Sequence, residues 1–159
     1  MLCIKINGEK IKFLNQLIMS KKILITGAAG FIGSHLAELC VQKGYNVTAF
    51  DIYNSENSCG WLENSKYKKD INIVLGDIRD YNSVNKVVKN KDIVFHLAAQ
   101  PLVRKSYENP LETWQTNVIG TLNVLEAIKN FEHKCLVIMI TTDKVYENNE
   151  WIYGYREID

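Results

Sequence analysis

The sequence predicts a doubly wound parallel α/β sheet, and three observations predict it. Short apolar runs alternate with stretches of helical period along most of the chain. The fourth run, DIVFHLAA, is almost continuously apolar, the pattern of a strand covered on both faces. The first run ends in a glycine-rich turn and passes straight into a helical stretch, the strand–turn–helix order of a parallel crossover.

KKILITGAAG reads as a buried strand feeding that tight turn. FIGSHLAELCVQKG follows as a helix with Ile32, Leu36, Leu39 and Cys40 at helical spacing and Gly44 as its stop. YNVTAFD is the second strand and ends in Asp51. Residues 52–70 are polar and aromatic, with Ser, Asn and Gly, and read as a long loop or irregular excursion. INIVLGD is the third strand, with RDYNSVNKVVKN as a short helix behind it. After the fourth strand, NPLETWQTNVIGTLNVLEAIKN reads as one long helix. Pro110 suits its first turn, and Trp114, Val118, Thr121, Leu122 and Leu125 form a stripe. CLVIMITT is the fifth strand, and TTDKVYENNEWIYGYREID passes into a polar, aromatic-rich loop. Met19-Ser-Lys-Lys looks like a natural start, so residues 1–20 read as an N-terminal extension and 21–159 as one domain or part of one.

The 159 residues are enough for a single core, and 47% hydrophobic with 23% charged is a globular balance. A net charge of +1 gives no reason to expect nucleic acid or a membrane surface as partner. No apolar run approaches the ~20 residues of a membrane span, and Lys5, Glu9, Lys10 and Lys12 interrupt any signal-peptide core. Cys3, Cys40, Cys59 and Cys135 are scattered, without a metal or redox spacing, which suits free thiols in a reducing cytoplasm.

The turn is Gly27-Ala-Ala-Gly30-Phe-Ile-Gly33. One glycine permits the tight turn, one lets a pyrophosphate approach the backbone, and one lets helix and sheet pack closely. The helix N-terminus then offers unpaired N–H groups to phosphates. Asp51 ends the second strand, where a carboxylate accepts hydrogen bonds from an adenosine ribose. It would repel a 2′-phosphate, and DIYNSEN carries no Arg or Lys to welcome one, so NAD is expected over NADP. Asp77, after the third strand, sits either beside the adenine or, like Asp80, at a helix N-cap.

GAAGFIG, GDIRD, FHLAAQP, TNVIGTLNVLEA and TTDKVY together resemble the extended short-chain dehydrogenase/reductase superfamily, and within it the NAD-dependent sugar-nucleotide epimerases and 4,6-dehydratases. From Phe95 onward the chain is similar to the CDP-glucose 4,6-dehydratases, most of all in the Asp-Lys pair before YENNEWIYGYRE. The first half keeps the general epimerase/dehydratase form, and AFDIYNSENSCGWLENS is closer to dehydratases of N-acetylated sugar nucleotides. The resemblance implies a Rossmann-type sheet of about five strands, truncated, with the C-terminal substrate domain absent. It implies NAD as cofactor and a nucleotide sugar, CDP-glucose before others, as substrate.

In residues, the resemblance implies cofactor contacts from Gly27, Gly30, Phe31, Ile32, Gly33, Asp51, Asp77, Ile78, Leu97, Ala98 and Ala99. Gln100, Arg104 and Asn117 would lie near the sugar or its phosphate, although Arg104 also reads as a solvated arginine and Asn117 as a plain helix position. His96 reads as structural, hydrogen-bonded within a buried strand. In the implied chemistry hydride leaves sugar C4, water is lost across C5 and C6, and hydride returns to C6. Thr142 would bind the 4-hydroxyl, Asp143 would protonate the departing C6 hydroxyl, and Lys144 stands where many relatives have a glutamate base. A lysine base there needs a lowered pKa. The superfamily's Tyr-x-x-x-Lys pair is missing from all 159 residues. The expectation is therefore a cofactor-binding portion that is inactive alone, completed by a second chain or paired as a homodimer. A non-catalytic NAD-binding scaffold is the alternative, and an epimerase fits the DKVYENNEWIYGYRE segment less well.

Overall fold

The computed structural model describes residues 20–53, 58–131, 134–142, 146–156 and 158. Five strands form one parallel sheet in the order β3-β2-β1-β4-β5: β1 (Lys22–Thr26), β2 (Asn46–Asp51), β3 (Ile71–Leu75), β4 (Ile93–His96) and β5 (Leu136–Met139). The chain winds outward from β1 to β3, returns to the other side of β1 as β4, and continues to β5. That is the doubly wound, Rossmann-type arrangement, and its strand order reverses between β1 and β4.

Alternation along β1 explains its unbroken apolar run. Ile23 and Ile25 face one core with Ala37 and Cys40 of α1 (Phe31–Gln42), joined by Val47 and Ala49 of β2. Leu24 faces the other, with Phe50, Val94, and residues of α2 (Tyr81–Val88) and α5 (Thr121–Lys129). Both faces are covered, so every position of the strand interior is apolar. Asp80 caps α2 by accepting from the Asn82 and Ser83 amides, which decides the N-cap question in favour of Asp80 over Asp77.

Two helices turn differently from the expected stripes. In α1, Ile32 and Leu39 are exposed while Gly33, Ser34, Ala37 and Cys40 are buried. Helix and glycine turn approach so closely that a Cβ on Gly33 would lie 2.3 Å from the Gly27 carbonyl oxygen, and small residues therefore take the inner face. The long helix is continuous but composite: α4 (Pro110–Trp114), a π-helical stretch (Gln115–Gly120), then α5. Its inner face is Gly120, Val124 and Ala127, whereas Trp114 is 64% and Leu122 54% exposed. Here too the close contact selects glycine, because a Cβ on Gly120 would meet Ile78 at 2.6 Å.

The excursion after β2 is not featureless. It contains two short 3₁₀ turns, Gly60–Asn64 and Lys68–Asp70, and buries Leu62 in the core beside α1. Between β4 and α4 lies one further short helix, α3 (Val103–Glu108). No described helix is long and apolar enough to cross a membrane.

Candidate functional site

A cavity of about 660 Å³ opens where the five strands end at their carboxyl edge. That size lies within the ~300–1,000 Å³ of small-molecule sites, and the place is the crevice at the reversal of strand order. Each strand delivers a wall: Gly27 to Gly33 after β1, Asp51 at the end of β2, Asp77 and Ile78 after β3, Leu97 to Leu102 after β4, and Ile140 after β5. All eleven residues expected to touch the cofactor, namely Gly27, Gly30, Phe31, Ile32, Gly33, Asp51, Asp77, Ile78, Leu97, Ala98 and Ala99, line this cavity, and so does Gln100.

The glycine turn is tightly specified. Gly27 has φ +71°, and a Cβ there would meet the Ala98 amide nitrogen at 2.8 Å. Its own N–H donates to the Phe50 carbonyl at 2.9 Å, tying the turn to β2. Gly30 differs, since a Cβ would touch only the Gly27 oxygen, at 3.3 Å, and otherwise face open space. It is the N-cap of α1 and caps with no side chain, and no acidic residue occupies the helix's first turn. The end of α1 therefore has no side-chain cap, the form in which a helix N-terminus is able to bind an anion.

Asp51 holds the turn as well as facing the cavity. Its Oδ2 accepts the Ala29 N–H at 2.6 Å and its Oδ1 accepts the Ile52 N–H at 2.8 Å. A carboxylate has about four lone-pair sites, so capacity remains for ligand hydroxyls. Asp77 accepts from the Arg79 amide at 2.8 Å and pairs with its guanidinium, which holds the Asp77 carboxyl below the usual carboxylate range.

His96 ends β4 immediately before the cavity-lining Leu97 and is 3% exposed. Its Nδ1 is 2.7 Å from Thr26 Oγ1 and its Nε2 3.0 Å from Thr121 Oγ1, and the Ala98 N–H donates to Thr26 Oγ1 at 3.2 Å. Burial lowers the imidazole pKa, so the neutral ring stitches β1, β4 and α5 together. The structural role read from its strand position is the one found.

The residues expected at the substrate divide. Gln100 spends its polar groups internally: Nε2 donates to Thr113 Oγ1 at 2.9 Å, and Oε1 accepts the Leu102 N–H at 2.7 Å. Asn117 does not line the cavity. It clamps the Gln100 backbone, accepting its N–H at 2.7 Å and donating to its carbonyl at 3.1 Å. Arg104 lies on the outer side of α3, 91% exposed and paired to Glu108 one turn on, so the solvated-arginine alternative describes its place. Thr142 is exposed and outside the cavity wall; Asp143 and Lys144 lie outside the described residues.

Sequence reasoning missed two features. Lys105 and Glu112 form a 2.8 Å ion pair at the cavity. They come from α3 and α4, so no spacing within one helix announces them. Gly60 and Trp61 dock on the glycine turn, and the isolated glycine in a polar stretch was their only signal.

A family model described as GDP-mannose 4,6 dehydratase matches residues 24–153, from β1 through the cavity walls to the aromatic tail. The chain belongs to this family. Its known relatives include enzymes of differing reaction. The CDP-glucose 4,6-dehydratase of Salmonella typhimurium is 40% identical over 86% of this chain and 38% of its own length. The CDP-paratose 2-epimerase of Salmonella typhi is 36% identical over 87% of this chain and 41% of its own. Among solved structures, the UDP-glucose 4-epimerase of Thermus thermophilus, a complex with NAD, superposes with a TM-score of 0.55 at 33% identity, over 68% of this chain and 33% of its own. The chain spans about two fifths of the length of the curated relatives it matches. Membership in the family of nucleotide-sugar dehydratases and epimerases agrees with the resemblance read from the motifs.

Proposed function

We propose that this chain is the NAD-binding portion of a nucleotide-sugar 4,6-dehydratase, with CDP-glucose as the favoured substrate. The observation that carries the reading is the convergence of Gly30 and Asp51 on one cavity: an uncapped helix end open to a pyrophosphate, and a carboxylate open to a ribose. The relatives' printed names supply the nucleotide sugar, and the NAD complex of the Thermus epimerase supports the cofactor.

In this reading Gly27 shapes the turn, Gly30 admits the pyrophosphate, and Asp51 accepts the adenosine ribose hydroxyls. Bound NAD supplies hydride acceptance and return. Thr142, Asp143 and Lys144 follow β5 by a few residues and are proposed for the sugar 4-hydroxyl, the C6 hydroxyl and the C5 proton respectively. Gln100 and Asn117 are proposed to position the cavity wall, and Arg104, exposed and paired with Glu108, is proposed as a solvated arginine. Because these 159 residues hold no Tyr-x-x-x-Lys, we propose that the base for oxidation comes from outside them.

A second reading, a non-catalytic NAD-binding scaffold, is favoured by one observation: Trp114, Val118, Leu122 and Leu125 present an exposed apolar face suited to another polypeptide or a second copy.

The test is calorimetry of the full chain with NAD, with Asp51→Ala and Gly30→Val alongside. Saturable binding that both substitutions remove supports the cofactor assignment. A folded chain that binds no NAD overturns it. Mixing in the C-terminal remainder of the Salmonella CDP-glucose dehydratase then separates the two readings: turnover of CDP-glucose supports the dehydratase, and binding without turnover supports the scaffold.

A further inference from the structure

We propose that residues 60–62 brace the glycine turn, and that dinucleotide affinity depends on this segment although none of its side chains lines the cavity. The proposal rests on the cofactor reading above.

The backbone at Ala29 is held from two sides. Its N–H donates to Asp51 Oδ2 at 2.6 Å, and its carbonyl accepts the Trp61 N–H at 3.0 Å. The first bond orients the 28–29 peptide plane and the second the 29–30 plane. The second plane also carries the Gly30 N–H, which is directed at the Gly27 oxygen, 3.2 Å away. Both torsions of Ala29 therefore sit between two clamped planes, and the first amides of α1 follow from them.

The brace reaches the turn only because residue 60 is glycine. A Cβ there would lie 2.5 Å from the Ala29 carbonyl oxygen, and Gly60 has φ +55°, a region side chains disfavour. Leu62 anchors the segment, 1% exposed among Ile23, Ile25 and Ala37. Local bonds fix its shape: the Gly60 N–H donates to Ser58 Oγ at 3.1 Å and the Cys59 N–H to Glu63 Oε2 at 3.1 Å. The Trp61 ring meets Phe31 edge-on with centroids 5.1 Å apart, and Phe31 does line the cavity.

Such a brace removes disorder from the turn before a ligand arrives. Releasing one residue's backbone corresponds to roughly a tenfold loss of affinity. Gly60→Ala is expected to raise the NAD dissociation constant by about that factor, and Trp61→Phe, which keeps both N–H and ring edge, to leave it unchanged. If Gly60→Ala does not fold, Trp61→Pro against Trp61→Ala replaces it, since both lose the ring and only proline loses the N–H. Amide hydrogen exchange without ligand gives a readout independent of binding. Ala29 and Gly30 should exchange faster in Gly60→Ala or Trp61→Pro while β1 and β4 amides keep their protection.

Wild-type affinity in Gly60→Ala, or in Trp61→Pro relative to Trp61→Ala, overturns the brace and leaves the cofactor reading standing. If the unaltered chain binds no NAD, the cofactor reading fails by itself. Exchange then decides the brace: faster exchange at Ala29 and Gly30 supports it, and unchanged exchange overturns it.

Discussion

Gly30 and Gly33 are three residues apart, yet a methyl group would meet very different neighbours at each. At Gly33 it would lie 2.3 Å from a backbone oxygen and 2.8 Å from Ala28 Cα, neither of which can move away alone. Gly33→Ala is expected to cost about 1–3 kcal/mol of stability or more, read from urea unfolding. At Gly30 the nearest atom is 3.3 Å away and the residue is the N-cap of α1, where alanine is poorer than glycine, so Gly30→Ala should cost about 1 kcal/mol, less than Gly33→Ala. Its effect should appear in calorimetry with NAD, where the new methyl group would enter the proposed approach of the pyrophosphate. A large stability loss at Gly30 would contradict this division. His96 makes the residue-scale prediction for pH. Burial lowers its pKa from the ordinary 6.5, so the folded chain favours the neutral ring and the unfolded chain takes up the proton first. The resulting stabilisation is complete above about pH 6.5 and is lost as pH falls toward the lower folded value. One proton sets a slope of at most about 1.4 kcal/mol per pH unit. Urea midpoints should stay level from about pH 8 to about pH 6.5 and fall toward about pH 5 with at most that slope, and His96→Gln should flatten the fall.

Elements were legible in the sequence as existence and order, less so as orientation. The first four strands fall where apolar runs end in Gly, Asp or Ala and the fifth where one ends in Thr141, because a parallel strand buried on both faces leaves an unbroken signature. The helices misled through their largest residues. Ile32 and Leu39 looked like an inner stripe, but α1 approaches the turn too closely for them, and Gly33 and Ala37 go inside. The same holds for Trp114 and Leu122 against Gly120 and Ala127. Periodicity weighs side chains by hydrophobicity and cannot see that a close contact selects small ones. The π-helical stretch was equally invisible, since no residue type demands it. Its consequence is Asn117, carried within that stretch and bonded to both polar groups of the Gln100 backbone. Asn117→Ala leaves two backbone groups without these partners and is expected to cost about 1–3 kcal/mol. Asn117→Asp can accept from Gln100 N but cannot donate to its carbonyl while ionised, and should fall between. Equal stability of all three proteins would mean that water replaces the clamp.

Over the whole molecule, the wall of the candidate cofactor cavity was the most legible part, because its residues follow strand ends that the sequence marks with glycine and aspartate. The brace was not, since Gly60 acts through a backbone contact with a residue about thirty positions earlier. Lys105 and Glu112 were hidden for a related reason, being paired across two helices. Five strand ends and the glycine turn meet at one cavity, with the brace behind the turn, so a ligand there is coupled to most of the fold. NAD binding should therefore stabilise the chain globally, by about 2.7 kcal/mol at a hundredfold excess over its dissociation constant. For a domain of this size that corresponds to a rise of roughly 5–10 °C in unfolding temperature. NADP offers the same pyrophosphate and adenine but, in the proposed reading, would add a 2′-phosphate beside the Asp51 carboxylate, which lines the cavity. Two negative groups at hydrogen-bonding distance in a partly enclosed cavity repel strongly, so NADP at equal concentration should raise the unfolding temperature by much less. In Asp51→Asn the repulsion is gone while an acceptor oxygen remains for the Ala29 amide, and the gap between the two dinucleotides should narrow. Thermal unfolding of both proteins with each dinucleotide measures all of this. Equal stabilisation of the unaltered chain by NAD and NADP would place the ribose away from Asp51, and the order of the two shifts in Asp51→Asn would show whether the carboxylate or the turn it holds sets the preference.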